Sequence, residues 1–451
     1  MNRFSILLIS LVFLACSKSD KPVLAGLPTD PPQHGTPYSG VVSGPDATIY
    51  QVNIRAFSPE GNLQGVTARL DEIRDLGVNV IYLMPIYPVG TVRSVNSPYS
   101  VTDFKSVGQE FGTLEDLRTL VSAAHQKEMS VILDFVANHT AWDHPWITAH
   151  KSWYRQDQNG EIVSPGGFND VAQLNFDNDS VRTTMIEALR YWVLAANVDG
   201  YRFDFADNVP TRFWKEAITS LRNINGRKLL LFAEGTRQDH FRTGFDLTFG
   251  FSFYGKIKSI YGDGVSATQL NEVNRTEYSN AWEDSRVVRY TSNHDINLSD
   301  GTAYELFRGQ NGSLAAFVIA AYMKGVPMIY NGQEIGYNER INYFQRDPID
   351  WAANPTVTDA YKKILGSRTS SNAIRNGKLF TYSSDDVVAF SKESGAEKAL
   401  VIVNVRNAAR QYTLPATLEG SAWKNAFSNE NVTLSNTVTL APYEYIVLKN
   451  N

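Results

Sequence analysis

The sequence predicts an α/β protein built on a closed (β/α)8 barrel, the TIM-barrel architecture, with a small inserted subdomain after the third strand and an antiparallel β-sandwich at the C-terminal end. Three observations carry this reading. From Thr48 onward, short β-branched or aromatic runs alternate with longer segments of helical period. After the third run, an irregular stretch over about residues 140–177 is too long for an ordinary loop. Beyond about residue 374 the helical segments give way to alternating strands with Asn and Gly turns.

The N-terminal residues read as a targeting segment. Arg3 supplies a positive start, residues 4–15 form an apolar run too short to span a bilayer, and Ala15-Cys16 closes it. This resembles a bacterial lipoprotein signal over residues 1–16, which implies that Cys16 carries lipid and explains the single cysteine of the chain. An ordinary cleaved signal with a coincidental cysteine is the alternative. With one cysteine no disulfide forms within the chain, so stability comes from the core or a bound ion. Residues 17–45 are rich in Pro, Gly, Ser and Lys and read as a flexible tether.

The barrel is assigned to residues 46–373, with runs at 48–53, 79–83, 130–135, 199–203, 229–233, 245–249, 287–292 and 326–330 as its strands. Eight is the number that closes such a barrel. Between them, Thr113 followed by Asp116 has the form of an N-cap with an acidic third position, and Leu117, Leu120, Val121 and Ala124 share one helical face. Val181, Met185, Ala188, Leu189, Trp192 and Val193 repeat that spacing. These stripes face a core and carry no chemistry. In the insert, Trp142, Trp146 and Trp153 either pack the subdomain or line outer ligand subsites. Residues 374–451 form the sandwich.

Composition narrows the partners. At 451 residues with 43% hydrophobic and 20% charged side chains, the chain buries a large core and is neither disordered nor fibrous. A formal charge of -5 gives no basic excess of the kind that neutralising nucleic-acid phosphates requires, and a neutral substrate fits better. No His or Cys cluster suggests zinc, and no glycine-rich phosphate loop suggests a nucleotide.

Reacting groups of such barrels sit at the C-terminal ends of strands. The third strand ends in Asp134 and leads into Asn138 and His139, the fourth ends in Arg202 and Asp204, the fifth in Glu234, and the seventh leads into His294 and Asp295. Retaining cleavage of a glycosidic bond needs one carboxylate to trap the anomeric carbon and a carboxylic acid about 5 Å away to protonate the leaving oxygen. Neighbouring strand ends supply that separation. A third anion raises the pKa of the acid, a role that suits Asp295. Arg202, two residues before Asp204 on one strand, points to the same face and orients that carboxylate. Asp134 is expected to be a structural partner of Arg202 or of a backbone donor.

These four motifs, in this order and each at a predicted strand end, resemble the conserved regions of the α-amylase family, glycoside hydrolase family 13. The resemblance runs from about Asp46 to the C-terminus. It implies Asp204 as nucleophile, Glu234 as acid/base and Asp295 as transition-state stabiliser, with His139, Arg202 and His294 holding the sugar and the nucleophile. Ser97 to Phe104 resembles the family's tyrosine-containing segment and implies that Tyr99 lies under the same sugar. Val326 to Gly336 resembles its eighth strand, and Gln173 to Asp177 falls where its additional short motif lies. The implied activity is retaining hydrolysis of α-1,4-glucosidic bonds in starch, maltodextrin or a related α-glucan, by a monomer anchored through lipid in the cell envelope. An exo-acting α-glucosidase, a cyclomaltodextrinase or a transglycosylase of the same family is the nearest alternative, and a non-catalytic glucan-binding lipoprotein a more distant one.

The chain also departs from that pattern. Three and four positions after the nucleophile, where many family members have Lys and His, stand Asp207 and Asn208, so contacts beyond the cleavage point are expected to differ. Many members bind calcium between barrel and insert. Asn138 occupies the place of one ligand and Asp170 offers an oxygen, but the His that lends a carbonyl is replaced by Asn208, so the site is half visible.

Overall fold

The structure is a computed structural model and describes residues 30–450, apart from the single positions 283, 353 and 419. The signal segment, Cys16 and the first half of the expected tether lie outside the described residues. No described helix is long and apolar enough to cross a membrane.

Eight parallel strands close the barrel: β1 (Ile49–Val52), β2 (Val80–Leu83), β3 (Ser130–Phe135), β6 (Gly200–Phe203), β7 (Leu230–Ala233), β8 (Leu247–Phe249), β9 (Arg286–Arg289) and β10 (Gly325–Tyr330), which returns to β1. The labels β4 (His139–Ala141) and β5 (Val171–Gln173) belong to a separate two-stranded antiparallel sheet in the insert. Each predicted run became a strand because it is apolar on both faces. Ile49, Val80, Tyr82, Ile132, Phe232, Leu247, Val288 and Met328 fill the barrel, while Tyr50, Ile81, Val131, Leu133, Tyr201 and Leu231 pack outward beneath the helices. The seventh strand is shorter than expected. Residues 290–292 leave the ladder and approach the N-cap at Asn293, whose side chain accepts from the Ile296 amide at 2.9 Å.

The predicted helices hold. In Leu114–Gln126 the Thr113 hydroxyl accepts from the Asp116 amide at 3.2 Å, and the Asp116 carboxylate accepts from the Thr113 amide at 2.8 Å. In Asp179–Ala195 the expected stripe is buried, and the Trp192 indole donates to the Phe104 carbonyl at 2.7 Å. The insert tryptophans resolve toward packing. Trp146 and Trp153 meet edge to face at 4.9 Å, and Trp142 lies under the Arg93 guanidinium at 4.0 Å.

The C-terminal unit has a six-stranded sheet and a two-stranded sheet, all antiparallel, closed over a core that includes Val387, Leu400, Ile402, Trp423 and Leu440. Arg406 joins it to the barrel, donating to the Val265 carbonyl at 2.8 Å and pairing with Asp386 at 2.7 Å.

The tether reading needs correction over its described half. Residues 30–45 run along the barrel as a strap: the His34 amide donates to the Leu194 carbonyl at 2.7 Å, Tyr38 stacks on His125 at 4.3 Å, and Val41 is buried. Arg368, buried in the last barrel helix, donates to the Pro45 carbonyl at 2.8 Å and to the Thr48 hydroxyl at 3.1 Å. Loop-like composition concealed these contacts because backbone carbonyls and two aromatic rings make most of them.

Gly200 opens β6, the strand that ends in Arg202 and Asp204, with φ at +147°. A Cβ there would lie 1.9 Å from the Leu230 carbonyl oxygen of the neighbouring strand. Gly200→Ala is therefore expected to lower the unfolding free energy by about 3 kcal/mol or more, since conformation and overlap act together. Urea titration of the two proteins checks this, and midpoints that coincide would contradict it.

Candidate active site

Adjacent strand ends bring the acids together. The Asp204 amide donates to the Phe135 carbonyl and the Glu234 amide to the Phe203 carbonyl, each at 3.0 Å, so the β3, β6 and β7 ladders continue one step beyond the strands. At their centre is Arg202, fully buried in the barrel mouth. Its guanidinium donates to both Asp134 oxygens at 2.8 and 2.9 Å, donates to Asp204 at 2.9 Å, and pairs with Glu234 through its other terminal nitrogen. Because one guanidinium holds both, Asp204 and Glu234 are neighbours on the scale of the roughly 5 Å used by retaining glycosidases. Asp134 is the structural partner expected, and it also accepts from the Tyr82 and Tyr99 hydroxyls at 2.6 and 3.0 Å.

The remaining predicted residues form the rest of the rim. His294 is buried and accepts at Nδ1 from the Gln51 amide at 2.8 Å, while its Nε2 meets the Tyr99 hydroxyl at 2.8 Å. Donors therefore run from Gln51 through His294 and Tyr99 to Asp134. Tyr99 and His294 stack with ring centroids 5.4 Å apart. His139 meets the Tyr99 carbonyl at 3.2 Å through Nε2, and burial pushes its pKa down to about 4, so near neutral pH it offers hydrogen bonds without a charge. Asp295 is the most open of the three acids and accepts from the Tyr343 hydroxyl at 3.0 Å.

Burial raises the pKa of both Asp204 and Glu234. Arg202 opposes the shift, and neighbouring acids, Asp295 and Asp134 among them, add to it. The two carboxyls sit against one cation and titrate as a pair, which keeps a proton between them above the pH at which free carboxyls lose theirs. They open into a cleft of about 450 Å3 that Tyr99, His139, His294, Asp295 and Tyr343 also line. None of the three insert tryptophans lines it. A second cavity, of about 410 Å3 on the barrel flank, holds one buried carboxyl, Glu334, raised to about 7 by burial and bonded to Tyr50. It has no paired acid at its floor.

Gln51, Tyr343 and Phe205 belong to this site and were not singled out from sequence. Gln51 sits inside a strand, Tyr343 in an irregular segment after β10, and Phe205 beside the nucleophile with its amide donating to Glu234 at 2.8 Å. Only Phe205 had a signal, its position directly after Asp204.

The half-visible calcium site does not assemble from the residues named for it. The Asn138 carbonyl accepts from the Leu174 amide at one end of the β4–β5 ladder, and Asp170 directly precedes β5 at the other end, four residues and at most about 13 Å of extended chain from Leu174. Asp170 lines the cleft instead. The Asn138 carboxamide meets His139 Nδ1 at 3.3 Å, and among the described residues no three His, Cys, Asp or Glu side chains converge on a metal position. Asp207, one of the departures from the family pattern, is committed to the loop after Glu234. It accepts from the Thr236 and Arg237 amides and meets His240 Nε2 at 2.6 Å, and these partners hold its pKa down at about 2 against the effect of burial.

The profile described as alpha amylase, catalytic domain matches residues 33–160 and 148–395, and that described as maltogenic amylase, C-terminal domain matches residues 379–447. The alpha-amylase MalA of Haloarcula japonica is 27% identical over 413 residues, covering 85% of this chain and 59% of its own length. Alpha-amylase 3 of Dictyoglomus thermophilum is 24% identical, covering 90% of this chain and 93% of its own. Among solved structures, an alpha-amylase from Lactobacillus plantarum superposes with a TM-score of 0.80 at 25% identity, covering 90% of this chain and 99% of its own. The catalytic-domain match spans the strap, the barrel, the insert and the start of the sandwich, and by it the chain belongs to the alpha-amylase family.

Proposed function

We propose that this protein cleaves α-1,4-glucosidic bonds of starch, maltodextrin or a related α-glucan with retention at the anomeric carbon. The observation that carries the reading is the single Arg202 guanidinium shared by Asp204 and Glu234. In the first step an Asp204 oxygen attacks the anomeric carbon while Glu234 gives its proton to the departing oxygen. In the second, Glu234 takes a proton from water as that water displaces the Asp204 ester. Arg202 keeps the attacking carboxylate oriented, His139 and His294 hold the sugar hydroxyls, Tyr99 lies beneath the ring, and Asp295 faces the positive charge that develops at the carbon. The amylase names of the relatives support an α-glucan as substrate.

We also propose that Cys16 is lipidated and holds the enzyme in the cell envelope, a reading supported by residues 1–16 of the sequence alone. Cys16→Ser is expected to move the protein from the detergent phase to the aqueous phase in a Triton X-114 partition of expressing cells. Equal partition of both forms would contradict it.

Two further outcomes test the chemistry. Glu234→Gln should lower kcat on starch by roughly 10²–10⁴-fold, the range for loss of a general acid, while malto-oligosaccharide binding by calorimetry is largely retained. A variant that turns over like the parent would end the assignment. The pH profile of kcat/KM has its own sign. Turnover requires Asp204 ionised and Glu234 protonated, and both pKa values are raised, so both limbs shift upward from the ordinary 3.8 and 4.5. Activity is then lost on the alkaline side as Glu234 deprotonates, above pH 4.5, and an alkaline limb at or below that value would contradict the reading.

A further inference from the structure

A second buried guanidinium ties together two segments of the cleft wall. Arg55 stands in the short helix Ile54–Phe57, one residue after β1, and is 3% exposed. All five of its N–H groups are engaged. Nε and Nη2 donate to the two Glu110 carboxylate oxygens at 2.9 and 2.6 Å, a forked pair, and Nη2 also reaches the Asn96 side-chain oxygen at 3.5 Å. Nη1 donates to two backbone carbonyls that lie outside every helix and strand, those of Asn96 at 2.7 Å and Tyr343 at 3.0 Å.

Ser97 and Tyr99 line the cleft from the loop after β2, and Tyr343 and Phe344 from the irregular segment after β10, whereas Arg55 itself does not line it. The Asn96 carboxamide donates to the Phe344 carbonyl, so the two segments also meet directly, and Asn96 has a left-handed backbone with φ 61°, a conformation that Asn tolerates. Beyond this junction the segment after β10 follows the same helix turn: the Ile349 amide donates to the Ala56 carbonyl and the Trp351 indole to the Phe57 carbonyl, each at 2.9 Å. Tyr343, held by its carbonyl, donates from its hydroxyl to Asp295 at 3.0 Å, and its ring meets His294 edge to face at 5.0 Å. The Asp295 side chain is 51% exposed, so water competes for it as soon as that hydroxyl withdraws.

Building on the hydrolase reading above, we propose that Arg55 is a positioning residue for the reaction: by gripping both carbonyls it sets the Tyr343 hydroxyl on Asp295, and so fixes the carboxylate that faces the charge developing at the anomeric carbon. It acts through Tyr343 and Asp295. The Glu110 fork supplies its anchor, since a buried guanidinium bound to carbonyls alone would lack a counter-charge. A misplacement of about 1 Å remote from the chemistry costs on the order of 100-fold in rate, so a loop held by one side chain is enough to govern turnover.

Kinetics on maltoheptaose compare Arg55→Met, Tyr343→Phe and the double variant. Each single substitution is expected to lower kcat by about tenfold or more, with KM changed by less than about threefold. The double variant should lie within about threefold of Arg55→Met, because both changes remove one contact, whereas a guanidinium that merely holds the fold together would give losses that multiply. Glu110→Gln, at a half-open position, weakens the fork with Arg55 in place. It should lower kcat by a smaller factor with the same failure to multiply, and it carries the test should Arg55→Met not fold. Parent-like kcat in either single variant, losses that multiply, or a loss confined to KM would overturn the positioning role. A parent protein inert on maltoheptaose and starch would instead overturn the hydrolase reading on which that role rests.

Discussion

One buried cation organises the catalytic end of this molecule. Arg202 sits in the mouth of the barrel without solvent, a placement that costs several kcal/mol unless carboxylates and hydrogen bonds compensate it. Three acids do so: Asp134 from β3, Asp204 from the end of β6 and Glu234 from the end of β7. Burial holds the proton affinity of the outer two high, and the excess of their summed charge over that of the one guanidinium adds to it. Asp134 discharges part of its own demand on the Tyr82 and Tyr99 hydroxyls, which leaves Arg202 free to bind the other two. Barrel closure has the task of bringing strands remote in sequence to this one group.

The layers outside it follow from that task. Tyr99 is tied to Asp134 on one side and to His294 on the other, and His294 is tied through Gln51 to the floor of β1. The ring that would lie under a sugar therefore takes its position from the same charge cluster as the acids. Backbone freedom is spent where chain must pass close to chain, as at Gly200, and at Phe205, where a strained residue keeps its amide on the Glu234 carboxylate.

Much of this was legible in the sequence because barrel strands buried on both faces read as unbroken apolar runs, and all eight runs became strands. The acids were legible because strand ends are fixed points: Asp204 and Glu234 had to lie on the same rim once their strands were adjacent. Groups recruited from irregular segments stayed hidden. Tyr343 comes from a loop with no periodicity, and Gln51 reads as one polar residue in a strand until its partner across the barrel is known. Spacing in sequence also says little about distance between Asn138 and Asp170. Asn138 stands just before the insert and Asp170 inside it, and they flank opposite ends of the antiparallel ladder of β4 and β5.

The strap over residues 30–45 lies where the helix Asp179–Ala195 and the helix Thr211–Arg222 end, with Asp30 on Arg190 and His34 on Leu194. Those helix ends mark the face of the barrel at which its strands begin, and the cleft opens on the face at which they finish. The molecule consequently has a front and a back, and the described chain enters from the back. A long polymer can therefore approach the open face without meeting the strap.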